Sequence, residues 1–317
     1  MKTDVGRRFL QFVRGIRRIV KTDARHRFFL IVLLLGGCGS PPPPAPASTT
    51  ATAESPVEAT EKWRAKHDAD YRRDWVSIAG LHPLKAGVNT VGSAQSNNIV
   101  VENVPASLGR LVMTGDKVRF EPATGVEVRQ RDQPVTGPVG FNGNADQITA
   151  GDIRLVLHVS GERRWLRVRD PNGPLARAFK GFTWFPIDLQ YRVIGTFIPD
   201  ATPKPLKVPN TLGDEDEYRT EGVVEFQLNG QTLRLRPFTT RPKRFYIVFR
   251  DASSGQETYE TARFLYADLR DDGTTVLDFN QAYNPPCAFN PYTTCPIPLR
   301  ENRLPVKILA GERAYKK

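Results

Sequence analysis

The sequence predicts a mainly β fold: two packed β-sandwich or barrel-like domains with short helices, behind a leader and a tether. Three observations carry this. From Trp75 to about Arg169, short apolar runs recur between Gly, Asn and Asp breaks, which is the rhythm of strands in sandwiches and barrels. Asn229-Gly230 separates two alternating runs, Val223 to Leu228 and Gln231 to Arg236, as a type I′ hairpin requires. Phe245 to Phe249, FYIVF, is continuously apolar and reads as a central strand buried on both faces. A chain of 317 residues, 39% hydrophobic, is long enough to bury a sizeable core.

Residues 1–37 form the first element. Phe28 to Leu35, FFLIVLLL, follows a basic segment; it is far short of the roughly 20 apolar residues that span a bilayer and has the dimensions of a signal-peptide core. Leu35-Gly36-Gly37-Cys38 resembles the lipobox of bacterial lipoproteins. The resemblance implies cleavage before Cys38, acylation of its thiol and, with Gly39-Ser40 following, delivery to the outer membrane. The expected address is the cell envelope, lipid-anchored on the periplasmic face, with the membrane as a partner through Cys38. A leader of 37 residues exceeds the usual span of about 15 to 30, and a start at Val20 would leave one of ordinary length. The leader also explains the charge. The chain carries +11 at pH 7, of which residues 1–37 account for +7 and the remainder for +4. A body so near balance lacks the electrostatic footprint of a nucleic-acid binder.

Residues 38–56 are a tether whose Gly39 to Pro56 stretch is Pro, Ala, Ser and Thr apart from Gly39 and Glu54, a composition unable to order itself. Residues 57–74 read as a helix, with Trp63 and Tyr71 among charges and no Gly or Pro, and one face is expected to dock on the domain that follows. Residues 75–170 make the N-terminal β domain. Within it, LKAGVNTVGSAQSNNIVVENVPASLGRL resembles the start of a forkhead-associated domain, although Ser93 and Arg110 stand where that family's phosphothreonine ligands belong, so only sandwich architecture is implied. Residues 171–190 form a connector with a short helix, Leu175 to Lys180, closed by Gly181. Residues 191–317 make the C-terminal β domain. Beyond the hairpin and the FYIVF strand, it is expected to hold strands at Tyr191 to Ile198, Glu257 to Leu269, Thr275 to Phe279 and Val306 to Leu309.

The candidate site is Val276 to Arg303, a proline- and aromatic-rich stretch with Cys287 and Cys295, the two cysteines of the chain other than Cys38. In an oxidising compartment this spacing favours a disulfide, worth about 2 to 3 kcal/mol for so small a loop; buried free thiols are the alternative. Around it lie Asp251, Glu257, Tyr259, Arg263, Tyr266, Asp278, Asn280, Tyr283 and Asn284. In a strand from Glu257 to Leu269, Tyr259 and Arg263 would share one face, and Phe264, Tyr266 and Asp268 the other. One polar face would then line a cleft with Asp278 and Asn284. Glu257 and Asp278 are candidate acid and base if burial shifts their pKa values. Against this stands a structural role, with Arg263 pairing a carboxylate and the asparagines capping turns.

Phe249-Arg250-Asp251, Arg263-Phe264-Leu265-Tyr266, Leu277-Asp278-Phe279-Asn280, Tyr283-Asn284-Pro285-Pro286-Cys287-Ala288-Phe289, Cys295-Pro296 and Glu301-Asn302 resemble the signature of the bacterial domain-of-unknown-function family numbered 1684. The resemblance runs from about Trp63 to Glu312 and implies no activity. There is no P-loop, G-x-G-x-x-G or G-x-S-x-G, so no cofactor is expected. His67, His82 and His158 are too scattered for a zinc set, and the acidic run at Asp214 to Glu217 lacks the glycine and spacing of a calcium loop, so no metal is expected. Three functions remain open: binding of a small ligand or an envelope protein through the C-terminal β domain, a carboxylate hydrolase, or a purely structural envelope protein.

Overall fold

The computed structural model describes residues 54–316; the leader, Cys38 and most of the tether lie outside them. Within that span the chain is mainly β, with several sheets, one helix longer than a few residues and no closed barrel.

Helix α1 spans Pro56–Tyr71 and continues as a π-helical turn over Arg72–Val76. Its start is fixed by a capping box: the Ser55 hydroxyl accepts from the Glu58 N–H, the Glu58 carboxylate accepts from the Ser55 N–H, and Pro56 occupies the first turn, where no N–H is needed. Two sheets then pack face to face. One has five strands in the order Ile99–Val100, Gly87–Gly92, Gly109–Thr114, Lys117–Pro122, Val139–Gly140; the other has six, from Ile78–Pro83 through Arg163–Arg169 and Ile153–Ser160 to Ile148–Ala150, Arg129–Gln130 and Gln133–Pro134. Their alternate residues, among them Val91, Leu111, Phe120, Leu155 and Leu166, meet in one apolar core, which is the logic of a sandwich.

The C-terminal part has three layers. A four-stranded sheet, in the order Gln231–Leu235, Glu215–Leu228, Arg192–Pro209, Thr274–Asp278, packs on a three-stranded sheet of Phe238–Arg241, Arg244–Phe249 and Arg263–Asp268. Val224, Phe226 and Leu277 of the first meet Phe245, Ile247 and Leu265 of the second in a buried core. On the opposite face of the three-stranded sheet, Tyr246, Val248 and Phe264 pack against Tyr71 of α1 and Tyr283 and Cys295 of the Pro-rich loop. The FYIVF segment is therefore central and buried on both sides. Asn229 and Gly230, at φ +51 and +73, form the hairpin turn between Leu228 and Gln231.

Three local expectations are corrected. The strand expected from Glu257 begins only at Arg263. The Asp251 carboxylate accepts from the Ser253 N–H, and the Ser253 carbonyl accepts from the N–H groups of Gln256, Glu257 and Thr258, so residues 251–258 wind into a turn that outcompetes a ladder. No strand forms at Val306 to Leu309. From Asn302 to Ala310 residues alternate buried and exposed, but the carbonyls of Ile308 and Ala310 accept from the Arg263 guanidinium and the Ile308 N–H donates to Asp251. Backbone pairing is limited to a parallel bridge with residues 250–252, where Arg250 and Ala252 donate to the Asn302 and Val306 carbonyls and Leu304 donates to that of Arg250, and side chains take over beyond it. Finally, α1 docks chiefly on the C-terminal β part rather than on the sandwich that follows it. The Thr60 hydroxyl donates to Asp278, Arg64 donates to the carbonyls of Asn280 and Phe185, and the Tyr71 hydroxyl donates to the Asn284 carbonyl.

Candidate functional site: an aromatic cleft between helix and sheet

Trp63, His67, Tyr71 and Trp75 recur every fourth residue, a spacing that stacks side chains along one face of a helix. The ring centroids of Trp63 and His67 lie 4.7 Å apart and those of His67 and Tyr71 4.5 Å apart, both pairs near parallel. This stripe is one wall of a cleft of about 800 Å³, within the size range of small-molecule sites.

The opposing wall is the face of the three-stranded sheet turned away from the inner core. By the period of two, Val248, Tyr246 and Arg244 share that face with Phe264, Tyr266 and Asp268, and the register sets them directly opposite one another in that order. The face thus grades from sealed to wet. Val248 and Phe264 are buried, Tyr246 is 8% and Tyr266 37% exposed, and Arg244 and Asp268 form an ion pair of 2.6 Å at the rim. Tyr246 and Tyr266 stack at 5.0 Å, and the Arg244 guanidinium lies 5.0 Å from the Tyr266 ring centroid. Tyr283, Pro286, Thr294 and Pro296 of the Pro-rich loop complete the lining. A second groove, of about 360 Å³, shares Trp63, Arg244 and Tyr266 with the cleft and adds Arg192, Arg270 and Asp278.

The electrostatics follow from desolvation. Burial holds the His67 imidazole at a pKa of about 4, so it is neutral at pH 7, and its Nε2 is buried with no hydrogen-bond partner among the described residues. Burial raises the Tyr71, Tyr246 and Tyr283 phenols well above their ordinary value. The cleft therefore offers neutral aromatic walls with charge confined to the mouth.

The residues expected from sequence divide into two groups. Tyr266 and Tyr283 line the cleft. Asp251 and Arg263 instead form a fully buried ion pair below the sheet, and Asn284 donates from its backbone N and Nδ2 to the two oxygens of Glu312, each at 2.8 Å. Asn280 donates to the Asp188 carbonyl and to Asp278. Asp278 also accepts from Thr60 and lies 3.5 Å from Arg192. Glu257 pairs with Lys307 at 2.7 Å, which lowers its pKa. Glu257 and Asp278 share no partner: Asp278 faces the smaller groove and Glu257 lines neither groove. Tyr259 and Arg263 do not share a strand face, because Tyr259 precedes the strand; its hydroxyl lies 3.8 Å from the Cys287 sulfur. Cys287 and Cys295 are not bonded to each other; they are half-buried and buried respectively, in the apolar cluster that also holds Tyr71, Tyr246 and Tyr283.

Trp63, His67, Arg241, Arg244 and Tyr246 of the cleft, and Glu312 beneath it, were not among the expected site residues. His67 was visible in the i, i+4 aromatic stripe, which is a stronger signal than any zinc spacing. Glu312, fully buried with its pKa pushed up to about 8 by desolvation, had no local signal, since its partner Asn284 lies 28 residues away.

A mainly β protein with an aromatic cleft between its first helix and a C-terminal sheet is what the coordinates define. Residues 177–313 match the model of the family described as "Protein of unknown function (DUF1684)", which supports that family for the C-terminal part. A solved structure of an uncharacterized protein from Haloarcula marismortui is 32% identical, with 44% of this chain and 80% of that one covered and a TM-score of 0.38. No curated protein matches the chain.

Proposed function

We propose that this is a lipid-anchored envelope protein that binds a small ligand through its C-terminal β part, in the cleft between α1 and the three-stranded sheet. The observation that carries the binding reading is the cleft itself. An opening of about 800 Å³ walled by Trp63, His67, Tyr246 and Tyr266 combines apolar area with one orphaned ring nitrogen, the pattern of a ligand pocket. The anchor rests on the eight-residue apolar run and Leu35-Gly36-Gly37-Cys38, and acyl chains at about 0.8 kcal/mol per buried methylene would hold the body to a membrane without a spanning helix.

Binding is tested with 2-naphthol, a flat neutral probe, by calorimetry on the full chain. Saturable one-to-one binding that Tyr266→Ala weakens, while the melting temperature stays within about 2 °C, is the expected outcome. Absence of saturable binding would remove the cleft from consideration. The anchor is tested by palmitate labelling in cells: Cys38→Ser should abolish the label and release the protein from the membrane fraction. A membrane-free, unlabelled wild type would overturn it.

A further inference from the structure

We infer that the ligand of this cleft is a flat ring carrying an acidic group, with the acid seated between Arg241 and Arg244. The inference rests on the cleft being a binding site and names what it takes. Arg241-Pro242-Lys243-Arg244 is a two-residue hairpin tip in which Arg241 and Arg244 are directly paired across the strands. Directly opposed residues bring their Cβ atoms to about 5 Å, and like charges so placed repel. Both side chains line the cleft mouth.

Only one of the two has its charge answered. Asp268 pairs with Arg244, but its side chain is 67% exposed, so water screens that pair. Arg241 has no carboxylate within 4.0 Å among the described residues, whereas the other cation of the mouth, Lys66, is already paired with Asp70. The hairpin therefore presents two adjacent guanidinium forks, and the single carboxylate beside them, Asp268, sits on the next strand on the far side of Arg244 from Arg241. A second oxyanion would relieve the repulsion and accept from both forks, the geometry in which arginine favours carboxylate, sulfonate or phosphate.

The ring half of the ligand follows from what lies inward of this pair. Along the sheet face the next residues are Tyr246 and Tyr266, stacked on each other, and across from them stands Trp63. A planar ring fits between these faces, while a flexible polar chain would leave them wetted. An acid held at the rim and a ring pointing inward reproduce the observed gradient from charged mouth to neutral interior.

The test compares 2-naphthoate with 2-naphthol by calorimetry on the full chain. The acid is expected to bind about tenfold more tightly than the alcohol, with an affinity that falls between low and high salt while that of the alcohol does not. Arg241→Gln should erase the advantage of the acid over the alcohol; Arg241→Lys should retain part of it. Equal affinities for the two probes, or an Arg241→Gln variant that keeps the preference, would overturn the acidic ligand while leaving the cleft a binding site. Failure of both probes would overturn the binding reading and this inference together.

Discussion

Arg263 carries its charge at 0% exposure because three acceptors meet its guanidinium: the Asp251 carboxylate and the carbonyls of Ile308 and Ala310. Removing the carboxylate strands the cation. Asp251→Ala is expected to cost about 3 to 5 kcal/mol in urea unfolding, whereas Glu257→Gln, which breaks only a solvent-screened pair with Lys307, should leave the unfolding midpoint nearly unchanged. The cysteines make a second expectation at this scale. Cys287, half-buried and with its pKa lowered by the neighbouring Cys295 thiol, should be alkylated before Cys295, whose thiol is 1% exposed and raised by burial. Mass mapping after limited iodoacetamide treatment of reduced protein reads the order; Cys295 labelling first would contradict it. That Arg263 pairs a carboxylate was legible in the sequence. Its two carbonyl acceptors were not, because they lie 45 and 47 residues further on and nothing local ties them to Arg263.

The elements were legible where the pattern is local. Asn229-Gly230 located its hairpin to the residue because only a turn with two positive φ angles explains that pair between alternating runs. Gly230→Val, forcing a β-branched side chain to φ +73, should cost about 1 to 2 kcal/mol and leave probe binding unchanged, since the turn touches neither groove. Ser55→Ala should cost about 1 kcal/mol through the lost cap. Elements were misread where a turn or a single bridge stands in place of a full ladder. Residues 257–262 carry strand-like composition, yet the Asp251 and Ser253 turn claims the Glu257 and Thr258 amides, and 302–310 alternate as a strand does while sharing only a short parallel bridge with 250–252 and bonding to Arg263. The cleft wall on α1 had its signal in the four-residue aromatic spacing, but which sheet it faces is settled by Thr60, Arg64 and Tyr71, whose partners lie far down the chain.

At the scale of the whole molecule, burial of a few titratable groups sets the pH dependence of stability. The Glu312 carboxyl, at about 8 in the fold against an ordinary 4.5, keeps its proton where the unfolded chain has lost it, so stability falls as pH rises through 8. His67 and His158, both lowered to about 4 by burial, stay neutral where the unfolded chain is protonated, so stability is lost as pH falls from 6.5 towards 4. Two histidines outweigh one carboxyl below 6.5, and the carboxyl acts alone above it. The melting temperature should therefore peak near pH 6.5; Glu312→Gln should flatten the alkaline arm and His67→Phe part of the acid arm.

The hydrogen bond from Thr60 to Asp278 spans 218 positions, and the same separation governs the cleft, whose walls begin at Trp63 and close only with Tyr266 and Tyr283. A ribosome delivers these walls in order, so the first helix emerges well before the surface it rests on. Until the last third of the chain has been made, its aromatic stripe has no native cover, and it is the segment a nascent-chain chaperone would meet.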